Sequence, residues 1–365
     1  MNFKKNLLAV AVAVLFPLNL QAADQLGFTY DGKEYSGDTL PPAIQNQFYE
    51  LENKINEQRQ EIIDQYILEN YIISLAKEQN KAPEEVAGEL MKVPEPDEAA
   101  LKKFYDEHWD RIQIPFEDIK GQLGGMLRQQ QQQAKLDALL ESIKKEKNYT
   151  VQLPQPKAPH FEIKTKSYPS QGKADAPVLV HEFSDFQCPH CKQAAADIHK
   201  LMEEMGDQVR LVFRYMPIHP SGISRKIAEG GVCANEQGKF WEYQDMAFAQ
   251  QTRLKKDSPL AFAKELGLDE DKFKACFEGE QAAEQVRASE EEGRNLGVSG
   301  TPTFFINGQP FNPQFDLIKE LKAAIQAALA KTEATTATKT AVEKAAKTET
   351  HTETEKNPKP ASEKQ

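Results

Sequence analysis

The chain has 365 residues, enough for about two domains that each bury a core. Its formal net charge of −11 excludes a general nucleic-acid binder, since no extended basic surface is available to neutralise phosphates. Four cysteines in this length exclude a small scaffold stapled by disulfides.

Lys4 and Lys5 precede an apolar run from Leu7 to Leu20 and the small-residue exit Gln21-Ala22-Ala23. That order predicts a secretory signal peptide over 1–22, removed after Ala22. The run is short and broken by Pro17, a poor membrane span, and no second long apolar segment follows. The expectation is export to the periplasm, an oxidising space in which cysteine spacing is informative.

Residues 24–150 read as a mainly α-helical domain. Phe48, Leu51, Ile55, Ile62, Tyr66, Ile67 and Tyr71 fall at mostly helical spacing. Pro94-Glu95-Pro96 breaks the pattern, and Asp97 caps a helix running through Phe104 toward Trp109. A long helix then opens at Pro115 and continues past Ile143, with Gln129 to Gln133 as a solvated face.

The prolines of 151–160 predict an extended linker. Beyond it the period changes. Val178 to Phe183 reads as a buried strand ending at a cysteine motif, and a helical pattern follows to Leu201. Val209 to Tyr215 is a second strand, 221–296 carries helical patterns, and Thr303 to Asn307 returns to strand before an Asn307-Gly308 turn. Pro313 to Leu329 closes an α/β domain, 161–330, that contains a helical insertion. From 331 to 365 the composition falls to Thr, Ala, Lys and Glu, which predicts a disordered tail.

Cys188-Pro189-His190-Cys191 has three readings: half a zinc site, a structural disulfide or a redox couple. Zinc needs about four ligands and no second CxxC or compact His pair is present, so no metal is expected, and no cofactor. A bridge between residues three apart constrains little chain. Position favours redox: at a strand-to-helix turn Cys188 meets free backbone N–H groups and the positive end of the helix dipole, which favour thiolate. His190 adds positive charge or a hydrogen bond, Pro189 suits the first helical position, and Cys191 is placed to resolve a mixed disulfide. His160, His181 and His219 have no partner pattern and read as ordinary histidines.

Together these residues resemble the thioredoxin superfamily, and the quartet is most similar to DsbA-type periplasmic oxidases. Glu182, six residues before Cys188, matches the buried acid that assists proton transfer to the second cysteine; an ordinary strand-end carboxylate is the alternative. Gly300-Thr301-Pro302-Thr303 resembles the cis-proline loop, which implies that Thr301 and Pro302 bind an extended client segment. Phe183 to Cys188 and Thr303 to Gly308 also look like this family. The resemblance implies a non-catalytic Cys233–Cys276 disulfide between insertion helices; two separate buried thiols are the alternative. Phe28 to Gly32, and Pro115 to Val151, resemble the chaperone segment of SurA-type parvulin proteins, without an isomerase domain.

The implied activity is thiol:disulfide exchange on exported, unfolded or reduced clients. The chain would serve as an oxidase renewed by a DsbB-type membrane partner, or as an isomerase or reductase kept reduced by a DsbD-type one. Thr301 stands where the best-known DsbA oxidases carry valine, so the direction of electron flow stays open. A chaperone-type binding protein with secondary thiol chemistry is the third reading. The helical domain holds clients, makes a homodimer or is a packing appendage, since apolar helix faces serve each.

Overall fold

The computed structural model describes residues 27–107, 114–313 and 316–332. The signal-peptide expectation, the tail from residue 333 onward and Trp109 lie outside them; Lys331 and Thr332, expected in the disordered tail, belong instead to the closing helix.

A hairpin opens the described chain, β1 (Gly27–Tyr30) and β2 (Lys33–Ser36), turning at Asp31 (φ 50°) and Gly32 (φ 71°). Positive φ at both turn positions suits Asp-Gly and matches the strand twist. The helical reading of 24–150 missed this hairpin, because its residues are exposed on both faces and show no alternation. Three of the next four elements begin near proline: α1 (Pro42–Gln79), α2 (Pro83–Met91), α3 (Glu98–Glu107) and α4 (Phe116–Lys147). Asp97 Oδ1 accepts the Ala100 N–H at 2.8 Å and so starts α3. Leu101, Tyr105, Ile119 and Leu123 bury the contact of α3 with α4. At 1.5 Å per residue, α1 is about 57 Å long.

Residues 151–160 form no regular element. The thioredoxin-like domain that follows carries a five-stranded sheet in the order β3 (Ser170–Gln171), β5 (Val209–Tyr215), β4 (Val178–Ser184), β6 (Thr303–Ile306), β7 (Gln309–Phe311). The central pair β4 and β5 is parallel, and the other neighbours are antiparallel. Parallel strands need a crossover, supplied by α5 (Pro189–Met205). The insertion is α6 (Ile223–Glu236), α7 (Phe240–Ala249), α8 (Ser258–Glu265), α9 (Glu270–Glu278) and α10 (Glu280–Asn295). Residues 317–332 form the closing helix, α11.

Strand alternation sorts the sheet into two faces. Val178, Val180, Leu211, Phe304 and Ile306 pack with Ile198 and Leu201 of α5 and with Leu321 and Ile325 of α11. Phe183 and Phe305 face the other way, onto Phe161, Met216, Leu296 and Val298. There Arg214, fully buried, donates to Lys164 O at 2.8 Å and Glu292 Oε2 at 2.5 Å, with its guanidinium over the Tyr168 ring at 3.8 Å. Glu292 Oε1 also accepts the Lys164 N–H at 3.0 Å, so one ion pair straps the segment entering the domain onto α10 and β5.

Candidate active site

β4 ends at Ser184, the chain turns through Asp185, Phe186 and Gln187, and Cys188 is the N-terminal cap of α5 with Pro189 at its first position. The missing N–H of Pro189 costs nothing there. Cys188 is half-buried and Cys191 fully buried, and both are free thiols. The Cys191 and Thr301 side chains nearby and the backbone N–H groups of Cys191 and His190 hold the Cys188 thiol down at about 5 against its partial burial. His190 itself is exposed, and it favours the thiolate through its backbone N–H. Burial pushes Cys191 far above the ordinary thiol range, so the pair is strongly asymmetric.

Although 113 residues separate them, the Cys188 thiol donates to Thr301 O at 3.2 Å. The Thr301-Pro302 peptide bond is cis, and Thr303 Oγ1 caps the turn by donating to Gly300 O at 2.8 Å. The structure thus brings Cys188, Pro189, His190, Cys191, Thr301 and Pro302 to one corner of the sheet.

Glu182 lies deeper, in register with Phe213 on one side and Phe304 on the other. Burial between these rings raises its carboxyl to about 7, and only Ser184 opposes that shift. The folded-state pKa is raised, so the uncharged acid contributes stability at low pH that is lost as pH rises through about 7. Glu182→Gln should therefore gain up to about 3 kcal/mol over wild type at pH 8.5 and almost nothing at pH 4.5. Urea midpoints at the two pH values check this, and equal gains at both would refute it.

A second set of residues, to which sequence reasoning gave no role, fixes the cysteine turn. Asp185 is buried and accepts from Gln187 N (2.7 Å), His219 N (2.9 Å) and Ser224 Oγ (3.1 Å). Gln187 Oε1 accepts from Ser221 Oγ (2.7 Å) and Ser224 N (3.0 Å). Gln251 Nε2 donates to Phe186 O and Cys188 O, both at 2.9 Å. The bond from Asp185 to the N–H two residues on is a local Asx-type turn that the sequence Asp185-Phe186-Gln187 signals; Gln251 carries no such local mark. His219 is thus part of the scaffold through its backbone.

Cys233 of α6 and Cys276 of α9 form a disulfide of 2.04 Å across 43 residues. It sits in the insertion core with Phe240 and Phe273, apart from the redox pair in sequence. Among the described residues no group of three or more His, Cys, Asp or Glu could hold a metal.

Residues 164–327 match the Thioredoxin family. The "Probable disulfide bond formation protein D" of Bacillus anthracis is 33% identical over 176 residues, 44% of this chain and 78% of that protein. The chain belongs to the DsbA-like thiol:disulfide oxidoreductases. Its DsbA-like domain is also 36% identical over 166 residues to "Na(+)/H(+) antiporter NhaA 1" of Salinispora arenicola, 44% of this chain but 25% of that protein. The chain therefore spans about a quarter of the length of the antiporter relatives it matches. Among solved structures, oxidised BdbD of Bacillus subtilis is 26% identical, covering 47% of this chain and 98% of that one, with a TM-score of 0.43. The family match begins at residue 164, so the helical region of this DsbA-like protein lies outside it.

Proposed function

We propose that the chain is a periplasmic oxidase that passes a Cys188–Cys191 disulfide to the thiols of exported client proteins. The observation that carries this reading is the asymmetry of the pair: Cys188 is held down at about 5 while Cys191 is pushed up. A stabilised thiolate favours the dithiol form, and a disulfide whose reduced form is stabilised is a strong oxidant. A client thiolate attacks Cys188, Cys191 departs, and a second client thiol displaces Cys188. Thr301 and Pro302, at the mouth of the turn, are the positions for an extended client segment to pair with backbone. A membrane partner of DsbB type then re-oxidises the dithiol. Thr301 favours the isomerase as the second reading, with a DsbD-type partner.

Equilibration of the full chain with glutathione buffers decides between the two. A potential near about −120 mV is expected for the oxidase, and one near about −270 mV would contradict it. Export is supported by the basic and apolar start of the sequence, and no helix among the described residues is long and apolar enough to cross a membrane.

The helical region is assigned to self-association. Leu51, Ile62, Tyr66 and Ile73 of α1 are 54, 68, 66 and 36% exposed, and their separations of 11, 4 and 7 residues put them on one helix face. A straight stripe of this kind suits a second regular helix, that of another copy. Sedimentation should give a dimer that the double variant Ile62→Glu, Tyr66→Glu converts to monomer. A wild-type monomer at tens of micromolar would instead leave the stripe to clients.

A further inference from the structure

When Cys191 leaves the disulfide it does so as a thiolate in an apolar pocket, where charge is costly. Its proton must come from a group within the same pocket, and solvent is not adjacent to a fully buried sulfur. Glu182, raised by burial to about 7, can give or take a proton near neutral pH, but it points from the middle of β4 while Cys191 packs at the strand's end, where the Asp185 N–H donates to its Sγ at 3.4 Å.

Ser184 stands between. It is two residues from Glu182 on the same face of the strand and adjacent to Asp185, and it is 1% exposed. Its Oγ makes no hydrogen bond, and neither does Glu182 Oε1, although both are fully buried. Buried polar atoms without a partner are few in native proteins and call for an explanation, a catalytic role being one. The Ser184 hydroxyl lies near enough to pull down both the Glu182 carboxyl and the Cys191 thiol. The neighbouring carboxylate, Asp185, is committed to its three donors, and His181 and Arg214 occupy the opposite face of the sheet.

We propose that the Ser184 hydroxyl relays the proton between Glu182 and Cys191. This rests on the redox reading of the pair. A client thiolate bonds to Cys188 Sγ as the S–S bond breaks; the departing Cys191 sulfur takes the hydroxyl proton, and the hydroxyl takes that of Glu182. The products are the mixed disulfide, a neutral Cys191 thiol and a Glu182 carboxylate. Resolution by Cys191 runs the relay backwards.

The test uses the full chain with Cys188 charged as its glutathione adduct, following release of glutathione by Cys191 at pH 6 to 7. Ser184→Ala should slow release at least tenfold, and Ser184→Thr, which keeps the hydroxyl, should restore it to within threefold. Glu182→Gln should slow it similarly, and the double variant no further. An alanine variant within twofold of wild type would overturn the relay. Should the alanine variant fail to fold, a proton inventory in mixed H2O and D2O on wild type replaces it: curvature from two protons in flight is expected, and a linear plot overturns the relay. Failure of wild type to form the adduct at all would instead overturn the redox reading.

Discussion

Alkylation of Cys188 by iodoacetamide should rise tenfold per pH unit up to about 5 and then level off, where an unperturbed thiol with pKa 9.0 would still be climbing at pH 8. At pH 6 roughly nine-tenths of Cys188 is thiolate, against about a thousandth of an ordinary thiol. The rate advantage is smaller than that ratio. Nucleophilicity falls with basicity at a Brønsted slope of about 0.4–0.5, so four units cost roughly 40- to 100-fold. The net expectation at pH 6 is about a tenfold faster reaction than a free thiol, with a plateau above it. The folded-state pKa is depressed, so the reduced protein gains stability as pH rises from about 5 toward 9 and loses it as pH falls through 5. The oxidised protein has no such dependence from this residue. A midpoint above 8 would remove the asymmetry on which the oxidase reading stands.

Glu292→Ala should cost about 3–5 kcal/mol, a large part of the stability of an ordinary domain. The Arg214 side chain is 0% exposed, so loss of the carboxylate leaves a guanidinium with a carbonyl and a serine hydroxyl as its remaining hydrogen-bond partners, the Tyr168 ring beside it, and no counter-charge. The same change removes the acceptor for Lys164 N and loosens the strap into the domain. Removing both charges, as Arg214→Met with Glu292→Leu, should lie much closer to wild type, because the penalty arises from the orphaned charge. Urea unfolding compares the three proteins. A single variant within about 1 kcal/mol of wild type would show that water reaches the pair.

The central sheet was legible because its strands are runs of β-branched and aromatic residues: Val178 to Phe183 and Val209 to Tyr215 stand out from the helical periods around them. Ser170–Gln171 did not, since a two-residue polar strand offers no period to detect. The hairpin at Gly27–Ser36 was missed for a related reason, although Asp31-Gly32 is a turn signal that could have marked it. At the site, the cysteine turn and the Thr301-Pro302 loop could be read because each is local in sequence. Gln251, Ser224 and the backbone of His219 could not, because tertiary structure alone brings them to the turn. Arg214 was likewise hidden, a cation inside a strand whose partners sit 50 and 78 residues away.

The groups that hold the Cys188 thiol down run from Cys191 and His190, beside it, to Thr301, and those that fix its turn lie further along the chain too. Ser224 and Gln251 lie 36 and 63 residues further on, and Thr301 lies 113 residues on. A chain emerging from its N-terminus therefore presents Cys188 long before the Thr301 loop packs against it. Until α5 forms and that loop docks, the sulfur is an ordinary thiol, mostly protonated at neutral pH and slow to react. Its full reactivity comes only with completion of the fold, so the unfinished polypeptide is a slow nucleophile toward the disulfides of its own chain or of a neighbour.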